Sequence, residues 1–260
     1  MIKVKVIINK KKKDAKKNLF LLEDILQKKG FEISENPDFI IALGGDGTFL
    51  TASFLYGRKG IPILGVNSGG LGFLTDVHFS DVERVLEEIK KNKFHIEERM
   101  VVKGHYENTI FYALNDLTIC TRIPGRVVEF SATINNEYLC RFVADGIIVA
   151  TPTGSTAYSL ATGGPILLPH TESIILTPIS PHTLSVRPMV LPGTTKIEIQ
   201  TGEKGSGVLV ADGQRSRLIK RGGRVLFQKA DYTVRLLKPE GTTFFNTLRE
   251  KMKWGGREDA

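Results

Sequence analysis

The stretch Phe39-Ile40-Ile41-Ala42-Leu43-Gly44-Gly45-Asp46-Gly47-Thr48 decides the fold of this chain. Its first half is a continuous apolar run, which is typical of a buried parallel strand. Glycines at its end let the backbone turn where a Cβ would clash, and we expect Thr48 to cap a following helix. The stretch therefore predicts a strand, a glycine-rich loop and a helix, with the loop N–H groups available to phosphate.

One charged side chain, Asp46, lies in the middle of this loop. A carboxylate repels phosphate, so another role is needed: binding a metal ion, or taking a proton from an attacking hydroxyl. The alternative is a tight turn in which the residue is chosen for its turn propensity. A glycine-rich loop is a weak motif by itself, so the loop alone leaves these alternatives open.

The strand–helix pattern continues on both sides of this stretch. Ile2–Ile8 is a predicted strand, and a helix follows from about Asp14 to Lys29. Ile61–Val66 is a third predicted buried strand, and it ends in a second glycine-rich loop, Asn67–Leu74. Because the carboxyl ends of parallel strands meet at one sheet edge, the two loops predict a ligand crevice. With a further helix up to about Asn92, the order βαβαβα indicates a doubly wound sheet.

The pattern changes near Phe94, after which short β-rich runs alternate with turn residues. These runs include one long strand over Thr109–Thr121 and a short strand at Thr183–Val186, while Asn135-Asn136 and Asp212-Gly213 are typical hairpin turns. The sequence predicts a β-sandwich-like second domain and a final helix that returns to the first. We predict an N-terminal α/β domain of residues 1–94 plus about 243–260, and an all-β C-terminal domain of residues 95–242.

Composition narrows the classes of partner. Of 260 residues, 36 are Lys or Arg and 28 are Asp or Glu, and the net charge of +8 favours anionic partners. No basic stripe interleaved with aromatic residues indicates nucleic acid, and no apolar run approaches the ~20 residues of a membrane helix. The start of the chain has no signal-peptide pattern, and the two cysteines form no disulfide framework. We expect a cytoplasmic protein with small anionic partners, without nucleic acid or membrane.

Three polar clusters stand out in the second domain. Asn115-Asp116 interrupts an apolar strand pattern and is able to grip a diol such as ribose, although a strand-end turn is the alternative. Asp145 lies in an acidic turn between two strands. Thr151–Pro165 is rich in hydroxyl groups and glycine, which suits close approach of a nucleoside, while helix capping is the alternative.

These clusters, in this order, resemble the NAD kinases over nearly the whole chain. The first motif is shared with lipid kinases of the diacylglycerol kinase type and with 6-phosphofructokinases, whereas the Thr151–Pro165 block is far more specific. The matching pieces are Gly44–Thr48, Asn67–Leu74, Asn115-Asp116, Asp145-Gly146, Thr151–Pro165, Pro181–Pro188 and Asp212–Gln214.

The resemblance implies an α/β domain, a β domain and a site between them. It implies transfer of the terminal phosphoryl group of ATP, or of polyphosphate in some relatives, to the 2′-hydroxyl of the adenosine ribose of NAD. Mg²⁺ is expected with the donor, and no residue of the chain is assigned to a metal. A homodimer or homotetramer with the site near a subunit interface is also implied.

The resemblance also implies roles for single residues. Asp46 is the proton acceptor, Asn115 and Asp116 hold the ribose, and Asp145 contacts the dinucleotide near its nicotinamide half. The other candidate substrate-binding residues are Gly47, Arg126, Thr153, Thr156, Ala157, Tyr158, Ser159, Leu160, Ala161 and Gln214. The candidate phosphate-binding residues are Gly44, Gly45, Gly47, Thr48, Gly69 and Gly70.

The chain departs from the family pattern at two positions. Asp116 stands where many relatives have glutamate, and the shorter side chain keeps the charge but changes its reach. Val143 stands where some relatives have arginine, so Arg141 or Arg126 is the candidate replacement and acceptance of NADH stays open. The alternatives to an NAD kinase are a lipid or sugar kinase that shares only the glycine-Asp loop, and a non-catalytic NAD sensor.

Overall fold

A computed structural model describes residues 1–9, 15–70, 72–123, 125–203 and 205–254. The chain divides into two compact units, one of residues 1–98 with 233–260 and the other of residues 99–232. We keep the predicted domain boundaries, near residues 94 and 242, as a proposal. No helix in the described ranges is long and apolar enough to cross a membrane.

The first unit is built on parallel strands. Its elements up to residue 90 are β1 (Lys3–Ile8), α1 (Ala15–Lys28), β2 (Glu32–Ile33), β3 (Phe39–Gly44), α2 (Asp46–Tyr56), β4 (Ile63–Asn67), β5 (Val77–His78) and α3 (Val82–Lys90). The strands pair in the order β2-β1-β3-β4-β5, every pair parallel. β3 is buried along its whole length, as its apolar run predicts, and Leu22 and Leu26 of α1 and Val85 and Leu86 of α3 join the same core.

The remaining elements are almost all strands. They are β6 (Phe94–Tyr106), β7 (Thr109–Ala113), β8 (Asp116–Thr121), β9 (Val128–Ile134), β10 (Glu137–Ala144), β11 (Gly146–Ala150), α4 (Tyr158–Ala161), β12 (Ser173–Ile179), β13 (Met189–Pro192), β14 (Ile197–Thr201), β15 (Gly207–Ala211), β16 (Arg215–Ile219), β17 (Arg224–Pro239) and α5 (Phe244–Met252). Short 3₁₀ turns occupy Gly57–Lys59, Phe79–Asp81 and Thr153–Thr156.

The second unit has the layers of a β-sandwich. One antiparallel sheet has the order β13-β12-β11-β8-β15-β16, and a second antiparallel series runs β10-β9-β14-β17. Both contribute to one apolar core, in which Leu117 and Ile119 of β8 meet Phe130 of β9 and Ile199 of β14. Sheets that share one core in this way are typical of a sandwich. The predicted fold class, α/β followed by mostly β with a final helix, is confirmed.

Both predicted hairpin turns are present. Asn135 and Asn136 have φ of +49° and +69° between β9 and β10, and Asp212 and Gly213 have φ of +50° and +65° between β15 and β16. Positive φ at both central residues is the requirement of the type I′ turn, which asparagine, aspartate and glycine meet at low cost. Local turn chemistry alone therefore placed these hairpins.

Several predicted elements differ from the structure. Thr48 does not cap α2: Gly45 is the N-cap residue, the helix begins at Asp46, and Thr48 is buried in its first turn. The helix α1 is described from Ala15, and the predicted start at Asp14 lies outside the described residues. The run Thr109–Thr121 is broken between β7 and β8, and Thr183–Val186 is not a strand.

The sequence pattern also predicted no strand over Ser173–Ile179, which is β12 in the structure. Pro178 near its end argues against a central strand, because proline has no N–H to donate. In the structure β12 pairs with β13 only over Ser173–Leu176, so Pro178 lies where β11 is the only paired neighbour. The proline therefore costs the sheet little.

Candidate active site

The Asp46 carboxylate is engaged by the second glycine-rich loop. Asp46 is the first residue of α2, directly beyond the end of β3. Its Oδ2 accepts a hydrogen bond from the Phe73 N–H at 2.9 Å. Its Oδ1 accepts from the Leu74 N–H at 3.0 Å, and from the N–H and hydroxyl of Thr75 at 3.2 and 3.1 Å. The carboxylate is therefore held in one orientation by backbone groups as well as by one side chain.

The two glycine-rich loops leave the same sheet edge, as predicted. Gly44, the last residue of β3, lies opposite Asn67, the last residue of β4. The Asn67 side chain forms hydrogen bonds within its own loop: Oδ1 accepts from the Gly69 N–H at 2.7 Å, and Nδ2 donates to the Gly70 carbonyl. Nδ2 also lies 3.2 Å from the Thr75 hydroxyl.

The far end of this loop is fixed by two further contacts. Asp76 forms an ion pair with Lys238 of β17, and both side chains are buried, at 4% and 7% exposure. The Phe73 ring lies with its centroid 6.4 Å from that of Phe244 on α5. The final helix thus contacts the residue whose N–H bonds Asp46, so the carboxylate and its loop are held from several directions.

The candidate phosphate-binding residues differ in exposure. Gly44 and Thr48 are buried, and the Thr48 N–H already donates to the Gly45 carbonyl at 2.8 Å. Gly47, Gly69 and Gly70 are exposed at the same sheet edge. Thr48 therefore supports the start of α2, while the exposed glycines leave room for a ligand.

In the second unit, Asn115 and Asp116 lie where β8 begins. Asp116 is only 6% exposed, and its Oδ1 accepts a hydrogen bond from the Thr118 hydroxyl at 3.0 Å. Burial and the neighbouring Asp212 carboxylate raise the pKa of Asp116 to about 6, against the opposing effect of the Thr118 bond. Asn115 is partly exposed beside it.

These two residues line a cleft of about 320 Å³ in the second unit. Predicted site residues Ala157 and Tyr158 lie on it as well, and Tyr158 is 47% exposed. Burial is the main cause that raises the pKa of the Tyr158 hydroxyl, and Cys120, Asp116 and Asp145 add to it. The lining residues are Asn115, Asp116, Thr118, Cys120, Ala157, Tyr158, Val210, Asp212 and Gly213.

The rest of the hydroxyl-rich segment is partly structural. The Ser159 hydroxyl is fully buried and lies 2.9 Å from the Thr177 hydroxyl on β12. Thr153 is buried, and its hydroxyl accepts from the Arg99 guanidinium at 3.3 Å. Thr156 and Leu160 are partly exposed and Ala161 is exposed, but none of the three lines the cleft.

Three other predicted site residues lie outside the cleft lining. Asp145 is partly exposed between β10 and β11, where its N–H donates to the Ile179 carbonyl at 3.0 Å. Arg126 and Gln214 are both exposed in turns. Their exposure leaves them available to a ligand that extends beyond the cleft.

Sequence reasoning missed five residues that line the cleft: Thr118, Cys120, Val210, Asp212 and Gly213. The signal for the first two was available, because positions 116, 118 and 120 share one face of a strand while Leu117 and Ile119 face the core. Asp212 was interpreted as a hairpin-turn residue and as part of the Asp212–Gln214 piece of the family resemblance, and nothing local in the sequence indicates where its side chain lies.

Metal ligands are not gathered into a cluster. Within the described ranges, no group of three or more His, Cys, Asp or Glu side chains is arranged to hold an ion. The glycine-rich loops contain one carboxylate, Asp46, and its four hydrogen bonds orient it toward the backbone of Phe73–Thr75. The donor set therefore does not fit a resident metal held by the protein alone.

Comparison with known families covers most of the chain. Residues 4–94 match the family described as ATP-NAD kinase N-terminal domain, and residues 114–239 match ATP-NAD kinase C-terminal domain. An NAD kinase of Bacteroides fragilis is 41% identical over 249 residues, which are 94% of this chain and 84% of that one. An NAD kinase of Koribacter versatilis is 42% identical over 230 residues, which are 86% of this chain and 80% of that one.

Solved structures give the same result. An NAD kinase from Archaeoglobus fulgidus, solved in complex with ATP, has a TM-score of 0.80 and 27% identity, covering 96% of this chain and 99% of that one. The yeast NADH kinase complexed with NADH has a TM-score of 0.91 at 22% identity, covering 98% of this chain and 88% of that one. The second likeness, at this identity, supports the fold.

Proposed function

The chain belongs to the NAD kinase family, and from this premise we propose how its residues carry out the reaction. It has NAD kinase activity: the terminal phosphoryl group of ATP is transferred to the 2′-hydroxyl of the adenosine ribose of NAD. A lipid or sugar kinase and a non-catalytic NAD sensor are not favoured by these relatives. The observation that carries the residue assignment is the fixed orientation of the Asp46 carboxylate.

Asp46 is the proton acceptor in this proposal. Oδ1 accepts three hydrogen bonds and Oδ2 accepts one, so Oδ2 keeps a lone pair for the ribose hydroxyl. As the 2′-oxygen bonds the terminal phosphorus, its proton passes to Oδ2, and the bond from that phosphorus to the bridging oxygen of ADP breaks. Positioning and charge stabilisation supply most of the catalysis in such transfers.

The ribose and adenine are held by the second unit. Asn115 and Asp116 bind the ribose hydroxyls, because an amide donates and accepts while a carboxylate accepts. Ala157 and Tyr158 contact the adenine ring, and Thr156, Leu160 and Ala161 lie beside them in the sequence. Ser159 and Thr153 support this segment from beneath, since both are buried and hydrogen-bonded.

The outer parts of the dinucleotide have separate partners. Asp145 contacts the nicotinamide half, and the exposed Arg126 and Gln214 contact groups beyond the cleft. We also propose that the chain forms a homodimer or homotetramer with the site near a subunit interface. The enzyme acts in the cytoplasm. Its partners are NAD and ATP, with no nucleic acid and no membrane.

The donor phosphates lie on the exposed glycines. Gly47, Gly69 and Gly70 offer close approach, and Gly44, Gly45 and Thr48 shape the turn behind them. Mg²⁺ enters with ATP as part of the donor, as is usual for an ion that binds few protein ligands and several phosphate oxygens. The net charge of +8 attracts both anionic substrates.

A donor and acceptor panel tests this function. With ATP, Mg²⁺ and NAD we expect NADP phosphorylated at the 2′ position, identified by mass spectrometry and by a dehydrogenase specific for NADP. The same panel includes NADH, polyphosphate, diacylglycerol and fructose 6-phosphate. Preferential phosphorylation of a lipid or a sugar, or binding of NAD without product, would contradict the proposal.

Replacing Asp116 with asparagine should stabilise the fold at neutral pH while weakening NAD binding. The pKa of Asp116 is raised to about 6, so the folded state holds the proton more tightly than the unfolded chain does. The contribution of Asp116 to the free energy of unfolding therefore falls by roughly 2–3 kcal/mol as the pH rises from about 4 to about 6. Asparagine is never charged, so it escapes this cost.

The measurement is the difference in Tm between Asp116→Asn and the parent across pH. At about 2–4 °C per kcal/mol, we expect the Tm of the variant to exceed that of the parent by about 4–12 °C at pH 7.5 and by progressively less toward pH 4.5. Asp231→Asn, at an exposed position on β17, is the control and should show no such trend. A Tm difference that does not depend on pH would contradict the assigned burial of the charge.

A further inference from the structure

The side chain of Asp212 turns back from its hairpin onto the start of β8. Its Oδ2 accepts a hydrogen bond from the Leu114 N–H at 3.0 Å. Its Oδ1 accepts from the Asn115 N–H at 2.8 Å and from the Asp116 N–H at 3.3 Å. The Asp212 N–H also donates to the Asp116 carbonyl at 3.0 Å. One turn residue therefore holds three consecutive backbone groups of another segment.

The hydroxyl-rich segment holds the same backbone from its carbonyl side. The Thr151 hydroxyl donates to the Leu114 carbonyl at 2.5 Å, and the Thr151 N–H donates to the Asn115 carbonyl at 2.8 Å. Gly154 packs so closely that a Cβ there would lie 2.7 Å from the Asn115 Cα, inside the 3.0 Å that real Cβ atoms keep. The path of residues 114–116 is thus fixed on both sides, and the Asp212 carboxylate supplies a charged contact.

The charge of Asp212 also acts on Asp116. After burial, the Asp212 carboxylate is the second cause of the raised pKa of Asp116. Burial also raises the pKa of Asp212, opposed by the three N–H bonds and by Arg215. The Arg215 guanidinium itself donates to the Tyr112 carbonyl at 2.5 Å. The other titratable groups that line the cleft are Cys120 and Tyr158, and the Asp145 carboxylate, outside the lining, also acts on Tyr158.

We propose that Asp212 is a positioning residue of the NAD kinase reaction. Its carboxylate fixes the backbone of Asn115-Asp116 so that both side chains meet the ribose, and its charge makes the Asp116 carboxylate a stronger hydrogen-bond acceptor. Such outer contacts set the geometry of the groups that touch substrate. The inference rests on the proposed role of Asn115 and Asp116 in holding the ribose.

Asp212→Asn tests both parts at once, because asparagine has the same shape, no charge and one acceptor oxygen fewer. We expect KM for NAD to rise about 10-fold or more, with a smaller change in kcat, since two bonds to substrate are misplaced. Removing the charge should lower the pKa of Asp116. Affinity for NAD should fall at low pH as Asp116 takes up a proton, and this fall, the acid limb of NAD binding, should move to lower pH by up to about one unit. The dissociation constant of NAD is measured from pH 5 to 8 without a donor.

Three further variants separate the outcomes. Thr151→Val loosens the same backbone without changing a charge, so it should raise KM for NAD and leave the acid limb in place. Asp231→Asn, at an exposed position on β17 outside the cleft lining, should change neither quantity. If Asp212→Asn does not fold, Asp212→Glu keeps the charge but displaces the carboxylate, and it should raise KM with the acid limb unmoved.

A purely structural turn residue would behave differently. If a variant at position 212 lowers Tm but keeps the parent KM and the parent pH profile of NAD binding, the inference is overturned. Failure of the proposed function is distinct, because the parent enzyme itself would then produce no NADP. Both readouts come from the whole 260-residue chain.

Discussion

Replacing Asp46 with asparagine is expected to lower kcat by about 10²–10⁴-fold, the usual contribution of a placed general base. The amide oxygen takes the position of Oδ1 and accepts from Leu74 and Thr75, whereas the amide nitrogen faces the Phe73 N–H and accepts nothing. The variant thus loses the proton acceptor and one of the bonds that hold the loop. Single-turnover rates with saturating ATP and NAD measure the chemical step directly.

The loop contacts of Asp46 call for a control that loosens the loop but keeps the carboxylate. Thr75→Val removes the hydroxyl that donates to Oδ1 and accepts from Asn67 Nδ2, and it leaves the three backbone bonds to Asp46 in place. Its kcat should fall by no more than about 30-fold, in line with about 1 kcal/mol for each of the two hydrogen bonds of this hydroxyl. The dissociation constant of NAD should change little in either variant. Survival of turnover in Asp46→Asn at a tenth of the parent rate would show that another group takes the proton.

Gly72→Ala is the second substitution with a large expected effect. A Cβ at position 72 would lie 2.7 Å from the Asp46 Cγ, so either the carboxylate or the loop must move. Overpacking of this kind costs about 1–3 kcal/mol, and a displacement near 1 Å at a reacting group costs about 10²-fold in rate. We expect kcat to fall on the order of 10²-fold and Tm to fall by several °C.

A matched glycine lies in the same loop. A Cβ at Gly70 would meet no atom within 4 Å, so Gly70→Ala should leave Tm at the parent value. The comparison uses Tm only, because Gly70 is in the proposed phosphate-binding set. Equal Tm values for the two alanine variants would mean that the loop is not packed on Asp46 as described.

Much of the fold was predictable because it depends on local patterns. The uninterrupted apolar run of β3 indicated a strand buried on both faces. The pairs Asn135-Asn136 and Asp212-Gly213 indicated hairpin turns because these residue types adopt positive φ at low cost, and the structure has positive φ at all four. Errors arose where a neighbour decided the outcome. Pro178 is acceptable in β12 because no strand pairs with that position on its second side. Thr48 is buried in the first turn of α2, so it does not cap the helix.

The sequence by itself determined the family, the alternation of strands and helices in the first domain, the change to strands after it, and the residue types that the chemistry needs. These properties are encoded in short motifs and periodicities that hold in any context. Only the tertiary structure decided what each acidic side chain touches. Asp46 bonds a loop more than 25 residues away, and Asp212 bonds a turn about 100 residues away. Such contacts follow from packing and chain topology, so no local pattern in the sequence reports them.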